Sequence, residues 1–177
     1  MILIRRNPAF TLITMLGLRL LSAPGYAADP CAAFKWDVAH ERAVFAQTAE
    51  TLSAAAAAEG APQLLPEHLY ALSLQPQDQL RLPVAPGKKA QFADAFAGLM
   101  RLHVSAAGAY RVSLDQPGWI DVIGPTGVVA SSDYAGAAGC KAPHKAVKFY
   151  LPSGDYLLQL SGVAAAGAQL AVTAAPN

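Results

Sequence analysis

From residue 69 onward the chain alternates apolar and polar residues over short runs, and this alternation constrains its fold most strongly. A period of two places the apolar side chains on one face of an extended strand. Turn residues separate the runs at intervals of about 8 to 12 residues, which is typical of antiparallel sandwiches and barrels. We expect seven or eight strands from nine candidate runs. The runs are 69–74, 79–84, 99–104, 110–114, 119–123, 127–130, 146–151, 156–160 and 169–173.

Two of these runs share a local motif. Residues 108–114 and 154–160 both read Gly-x-Tyr-x-aliphatic-x-Leu. The glycine permits the turn that opens each strand, and the tyrosine and the aliphatic side chains then share one face. This echo predicts two structurally equivalent strands in opposed sheets.

A helical period precedes the strands. The apolar residues that recur every seven positions are Val38, Phe45 and Leu52. This spacing is typical of one face of an amphipathic helix. Asp37 suits the N-cap, the alanine run 54–58 favours continuation, and Gly60 favours termination. The pattern predicts one helix over 37–58, lying against a face or an end of the strand region.

The N-terminus has the pattern of a secretory signal peptide. The Arg5-Arg6 pair precedes an apolar run over 11–21, and small residues follow a Pro-Gly pair within 22–28. This pattern predicts cleavage after residue 27 or 28 and a periplasmic or secreted location. Arg19 interrupts the apolar run, and an uncleaved anchor is one alternative. The Arg5-Arg6 pair makes a twin-arginine signal the other.

The predicted organisation is a signal peptide at 1–28, an N-terminal helix and linker at 29–66, and a β-sandwich at 67–177. Residues 1–28 hold three Arg and no acid, so the remainder has 10 Lys and Arg against 12 Asp and Glu. A net charge of −2 gives no basic surface for a phosphate backbone, so nucleic acid is not a predicted partner. We expect an envelope protein or a small ligand as partner, and no membrane span after cleavage.

The chain has two cysteines, Cys31 and Cys140. An even count in an oxidising compartment predicts a disulfide between them. Free thiols are one alternative. A metal or redox site is the other, because His144 lies at a spacing from Cys140 that a metal can use.

The stretch 105–161 resembles the pre-peptidase C-terminal domain family. It carries the Gly-x-Tyr strand at 108–114, a Trp-Ile-Asp-Val strand at 119–122, a turn at Gly127 and Leu-Pro-x-Gly-x-Tyr at 151–156. The resemblance covers about a third of the chain. It implies a jelly-roll-like β-sandwich of an exported bacterial protein.

Three segments, one of them already named, are similar to those of a group of short exported proteobacterial proteins. They are Cys-x-x-Phe-x-Trp-Asp at 31–37, Trp-Ile-Asp-Val at 119–122 and Gly-Cys-x-x-Pro-His-Lys at 139–145. Members sometimes carry a homogentisate 1,2-dioxygenase label, which implies iron held by two His and one carboxylate. This chain has four His and neither a His-x-His nor a His-x-Asp/Glu pair. Its residues therefore do not favour that chemistry, and no cofactor is predicted.

An aromatic residue beside a carboxylate suits an amphipathic ligand such as a sugar or a peptide. The predicted ligand-binding residues are Trp119, Asp121, Tyr134, His144 and Lys145. The alternative for Trp119 is packing under the helix or at the sandwich edge. A metal site is the other alternative, and it requires His103, His144 and Asp121 to converge.

No catalytic residue is predicted. The Ser131-Ser132 pair lacks the Gly-x-Ser-x-Gly setting of a nucleophile, and no glycine-rich phosphate loop occurs. The sequence favours a non-enzymatic binding or interaction module of the cell envelope. A metal-dependent enzyme and a structural envelope protein remain the alternatives.

Overall fold

The computed structural model describes residues 28–91 and 93–175. In that part of the chain, one α-helix precedes two stacked β-sheets. The helix α1 is Ala39–Phe45. The strands are β1 (Glu50–Ser53), β2 (Gln63–Leu64), β3 (Leu69–Ser73), β4 (Gln75–Pro76), β5 (Phe96–Val104), β6 (Gly108–Leu114), β7 (Trp119–Gly124), β8 (Gly127–Val129), β9 (Asp133–Gly136), β10 (Lys145–Leu151), β11 (Gly154–Val163) and β12 (Gly167–Ala174). The predicted signal peptide lies outside the described residues, apart from residue 28.

The strands form the predicted sandwich. Sheet I has the order β1-β3-β12-β6-β10-β9, and sheet II has the order β2-β5-β11-β7-β8, with β4 also paired to β5. Most pairs are antiparallel, but β1 pairs with β3 and β2 pairs with β5 in parallel. Both sheets are therefore mixed, and the predicted antiparallel pairing holds for all the other strand pairs. The chain between β1 and β2 crosses from sheet I to sheet II, so each of them joins its sheet without a hairpin.

The core lies between the sheets, where the alternation directs the apolar side chains. Val112 and Leu114 of sheet I are fully buried, as are Leu158 and Leu160 of sheet II. Burying a side chain of this size contributes roughly 1.5 to 3 kcal/mol. The inward faces of the long strands therefore supply most of the apolar burial.

The two motif strands occupy equivalent places in opposed sheets. β6 lies inside sheet I and β11 lies inside sheet II, as the sequence echo predicts. The Tyr110 hydroxyl donates to the Ala106 carbonyl at 2.8 Å, and the Tyr156 hydroxyl donates to the Pro152 carbonyl at 2.9 Å. Each tyrosine thus ties its strand to the backbone four residues earlier.

The N-terminal helix is much shorter than predicted. It ends at Phe45, and the predicted continuation through 54–58 is wrong. The chain instead forms β1, and Ala55 then bridges to Leu99 of sheet II. A Cβ on Gly98 would lie 2.4 Å from the Ala54 Cβ, so only small residues fit where the chain crosses between the sheets. Tertiary packing therefore overrides the helix propensity of alanine.

The segment before β1 covers the outer face of sheet I. Its cysteine forms the predicted disulfide, Cys31–Cys140, with a Cα–Cα distance of 4.8 Å. Two small apolar clusters lie beneath the segment. One comprises Phe34, Val38, Ala135, Ala137, Cys140 and Ala146, and the other comprises Val44, Phe45, Leu69 and Ala171. The sheets also begin at Glu50, earlier than the predicted boundary at residue 67.

Eight of the nine predicted strand runs contain a strand, and the run 79–84 does not. Pro83 has no N–H to donate to a ladder, and the backbone of Val84 bonds a glutamine side chain instead of a strand. The short strands β1, β2, β4 and β9 were not predicted. Among the described residues, no helix is long and apolar enough to cross a membrane.

Candidate functional site

Trp119 is the first residue of strand β7 in sheet II. The alternation of this strand buries Ile120 and Val122 in the core, so Trp119 and Asp121 face outward. Trp119 remains 43% exposed, and its indole Nε1–H donates to Oδ1 of Asp121 at 3.0 Å. The ring is therefore held in one orientation while much of it stays open to solvent.

The partner of this indole is a buried carboxylate. Asp121 is only 8% exposed, and it lies beside Gln159 on the neighbouring strand β11. Gln159 Nε2 lies 3.4 Å from Oδ2 of Asp121. Burial raises the pKa of Asp121, whereas the hydrogen bond from Trp119 and the charge of Lys145 act to lower it. Burial is the largest of these causes, so the carboxylate holds its proton more tightly than a solvated one.

A loop over residues 77–91 packs over Gln159, the strand neighbour of Asp121. Gln159 is fully buried and makes two hydrogen bonds to this loop. Its Nε2 donates to the Val84 carbonyl at 2.8 Å, and its Oε1 accepts from the Val84 amide at 3.2 Å. At the other end of the loop, Gln77 Oε1 accepts from the Gly162 amide at 2.7 Å. Side-chain amides thus replace strand pairing where the sequence predicted a strand.

Lys145 completes the cluster from sheet I. Its Nζ donates to the Gly118 carbonyl at 2.7 Å and lies 5.6 Å from the centroid of the Trp119 ring. Burial lowers the pKa of Lys145, and the negative charge of Asp121 opposes that effect. On the loop side, a Cβ on Gly87 would lie 3.8 Å from the indole. We call Trp119, Asp121, Lys145 and Gln159 the Trp119 cluster.

Two predicted ligand-binding residues are not part of this cluster, although His144 is the chain neighbour of Lys145. Tyr134 is on the edge strand β9 and is 69% exposed. His144 immediately precedes β10, and its backbone amide donates to the Leu114 carbonyl at 2.8 Å. Within the described residues, neither side chain makes a hydrogen bond to the cluster. The structure therefore brings together three of the five predicted residues.

The residues of the metal alternative do not converge. His103 bonds Asp155 on the outer face of sheet II, with 2.7 Å between Nδ1 and Oδ1. Cys140 is in the disulfide and so has no free thiol to pair with His144. No group of three or more His, Cys, Asp and Glu side chains in 28–91 and 93–175 is arranged to hold a metal ion.

Gln159 is the residue of the site that sequence analysis missed. It stands in the apolar run Leu-Leu-Gln-Leu at 157–160, where the period of two directs it outward. An outward glutamine is ordinarily solvated, and only the loop above buries this one. The sequence signal for this burial was the apolar pattern of residues 79–84. That pattern predicts a strand, but the segment belongs to the covering loop.

The comparisons with known proteins do not place the chain in a family. No protein-family model matches it, and no curated protein shows significant similarity.

Proposed function

We propose that this chain is an exported, non-enzymatic binding module of the cell envelope, with the Trp119 cluster as its ligand site. One observation carries this proposal: a half-exposed indole is fixed by a hydrogen bond to a buried carboxylate. A fixed ring loses little conformational entropy when a ligand covers it, so its exposed apolar area is available for binding.

A saccharide is the ligand class that fits these groups. The apolar C–H face of a sugar ring packs on an indole, and its hydroxyls bond polar groups at the ring's edge. Lys145 supplies such a group beside the ring. Its ammonium has three donor hydrogens, and the hydrogen bond to the Gly118 carbonyl uses one of them.

The disulfide supports the proposed export. Disulfides form and persist in oxidising compartments such as the periplasm and the cell exterior. The predicted signal peptide and the resemblance to exported β-sandwich proteins agree with this location. Together they support a periplasmic or secreted module.

A glycan array tests the proposed function. The protein lacking residues 1–28 is labelled and applied to bacterial and plant saccharides, beside Trp119→Ala and Lys145→Met. Tyr134→Ala is the matched control, because it removes an exposed aromatic ring away from the cluster. We expect a set of saccharides on the array to retain the parent protein and Tyr134→Ala. The same saccharides should not retain Trp119→Ala. No retained saccharide, or equal retention by Trp119→Ala, would overturn the proposal.

A further inference from the structure

A row of outward-facing side chains crosses five strands of sheet II. The register places Gln63 beside Arg101, Arg101 beside Leu157, Leu157 beside Ile123, and Ile123 beside Val128. These residues belong to β2, β5, β11, β7 and β8 in turn. Their chain neighbours point into the core, so the row itself faces away from it. We call these five residues the cross-strand row.

The row is accessible along its length. Gln63 and Arg101 are exposed, Leu157 and Ile123 are half-buried, and Val128 is 55% exposed. The loop 77–91 packs on the same outer face at Gln159, two residues along β11 from Leu157, and leaves the row accessible. At the arginine end, a groove of about 380 Å³ opens over the row. Its lining residues are Ala58, Gln63, Arg101, Asp155, Tyr156 and Leu157.

Arg101 is the cation among the residues that line this groove, and Asp155 is the carboxylate. The guanidinium Nη2 makes one long hydrogen bond, 3.5 Å to the Ala58 carbonyl, and no described carboxylate forms a salt bridge with it. Asp155, which also lines the groove, is already bonded to His103 at 2.7 Å. A planar guanidinium binds a carboxylate through two parallel hydrogen bonds. The row therefore offers an anion site at one end and aliphatic side chains at the other.

We propose that the cross-strand row docks an extended peptide segment of a partner protein. An acidic side chain of the segment lies against Arg101, and its apolar side chains lie against Leu157, Ile123 and Val128. Four strand spacings of about 4.8 Å give a row of roughly 19 Å. An extended chain of about six residues spans that length. This docking surface does not rest on the proposed saccharide site.

A phage-displayed library of random octapeptides tests the proposal. Selection uses the immobilised protein lacking residues 1–28, and each enriched peptide is then measured against variants. We expect enriched peptides to combine one acid with aliphatic residues. Arg101→Glu and Val128→Asp should each weaken their binding at least about tenfold. Arg81→Glu, which reverses an exposed charge outside the row, should leave binding unchanged.

Charge exchange makes the result specific to Arg101. Peptides whose acid is replaced by lysine should bind Arg101→Glu better than the parent protein. Because Arg101→Glu could disturb the fold, Arg101→Gln is tested beside it, and both must keep the parent unfolding midpoint. Two results would overturn the proposal. One is enriched peptides that lack an acid, and the other is enriched peptides that bind Arg101→Glu and Arg101→Gln as tightly as the parent protein. Self-association that Arg101→Glu abolishes would also overturn it, because a second copy would then occupy the row.

Discussion

Glu41 of the N-terminal helix and Arg111 in the middle of sheet I form a buried ion pair, with 2.9 Å between Oε1 and Nη1. The same carboxylate oxygen accepts from the Thr173 hydroxyl at 3.1 Å. The guanidinium lies 4.9 Å from the centroid of the Trp36 ring and also donates to the Asp37 carbonyl. Polar groups thus tie the N-terminal segment to the centre of the sheet, between its two apolar clusters.

Glu41→Ala should destabilise the fold strongly. The change leaves the Arg111 charge buried without its partner, and breaking a buried pair in this way costs about 3 to 5 kcal/mol. Urea unfolding of the variant measures the loss. Glu50→Ala, at an exposed glutamate on β1, is the control and should change stability by less than about 0.5 kcal/mol. A comparable small effect for both variants would contradict the importance of the pair.

Removing the disulfide should destabilise the protein by about 2 to 5 kcal/mol. The bond joins residues 109 positions apart, so it restricts a long loop in the unfolded chain. The measurement compares unfolding of the parent protein with and without reductant. Cys31→Ser/Cys140→Ser should match the reduced parent and should not respond to reductant. A stability that reductant leaves unchanged in the parent would contradict this account.

The two motif tyrosines should contribute alike. Tyr110→Phe and Tyr156→Phe each remove a hydrogen bond to a backbone carbonyl but keep the buried ring. A hydrogen bond of this kind contributes about 0.5 to 1.5 kcal/mol. Equilibrium unfolding should show losses of that size for both variants, with Tyr134→Phe as an exposed control. A loss at one tyrosine alone would show that the two strands are not equivalent.

Stability should depend on pH through Asp121. Burial, the largest cause, raises its pKa in the folded state above the ordinary value of 3.8. A carboxyl with a raised folded pKa contributes most at pH values below about 3.8, and the contribution is lost as pH rises through the folded pKa. The parent should therefore lose stability over that interval relative to Asp121→Asn, whose amide oxygen can still accept from Trp119.

A pH series of urea unfolding curves checks this expectation. Asp78→Asn, at an exposed position, is the control and should follow the parent curve. If the stability difference between the parent and Asp121→Asn is constant across the acidic range, the carboxyl does not respond to its burial as described.

The sequence predicted the features that depend on local pattern. Alternation located the long strands, and the Gly-x-Tyr echo placed β6 and β11 in opposed sheets. The sequence did not predict where a contact between residues distant in the chain overrides a local conformational preference. The alanine run 54–58 favours a helix alone, but the close approach of Ala54 to Gly98 selects small residues for another reason. Short edge strands such as β1 similarly lack a periodic signal.

The candidate site was predictable in part for the same reason. Trp119 and Asp121 are two residues apart on one strand, so the period of two places them on one face. Lys145 contacts Trp119 from the other sheet, and a loop that contains no strand buries Gln159. These contacts join residues distant in sequence, and no local pattern records them.

Fluorescence of Trp119 tests the proposed binding function most directly. The chain has two tryptophans, so Trp36→Phe leaves Trp119 as the only indole emitter. A soluble form of a saccharide retained on the array is titrated into this variant, with a saccharide that was not retained as control. The proposed function predicts a saturable change in emission for the first saccharide alone. Saturable binding by calorimetry with unchanged emission would show that the ligand binds away from Trp119 and would contradict it.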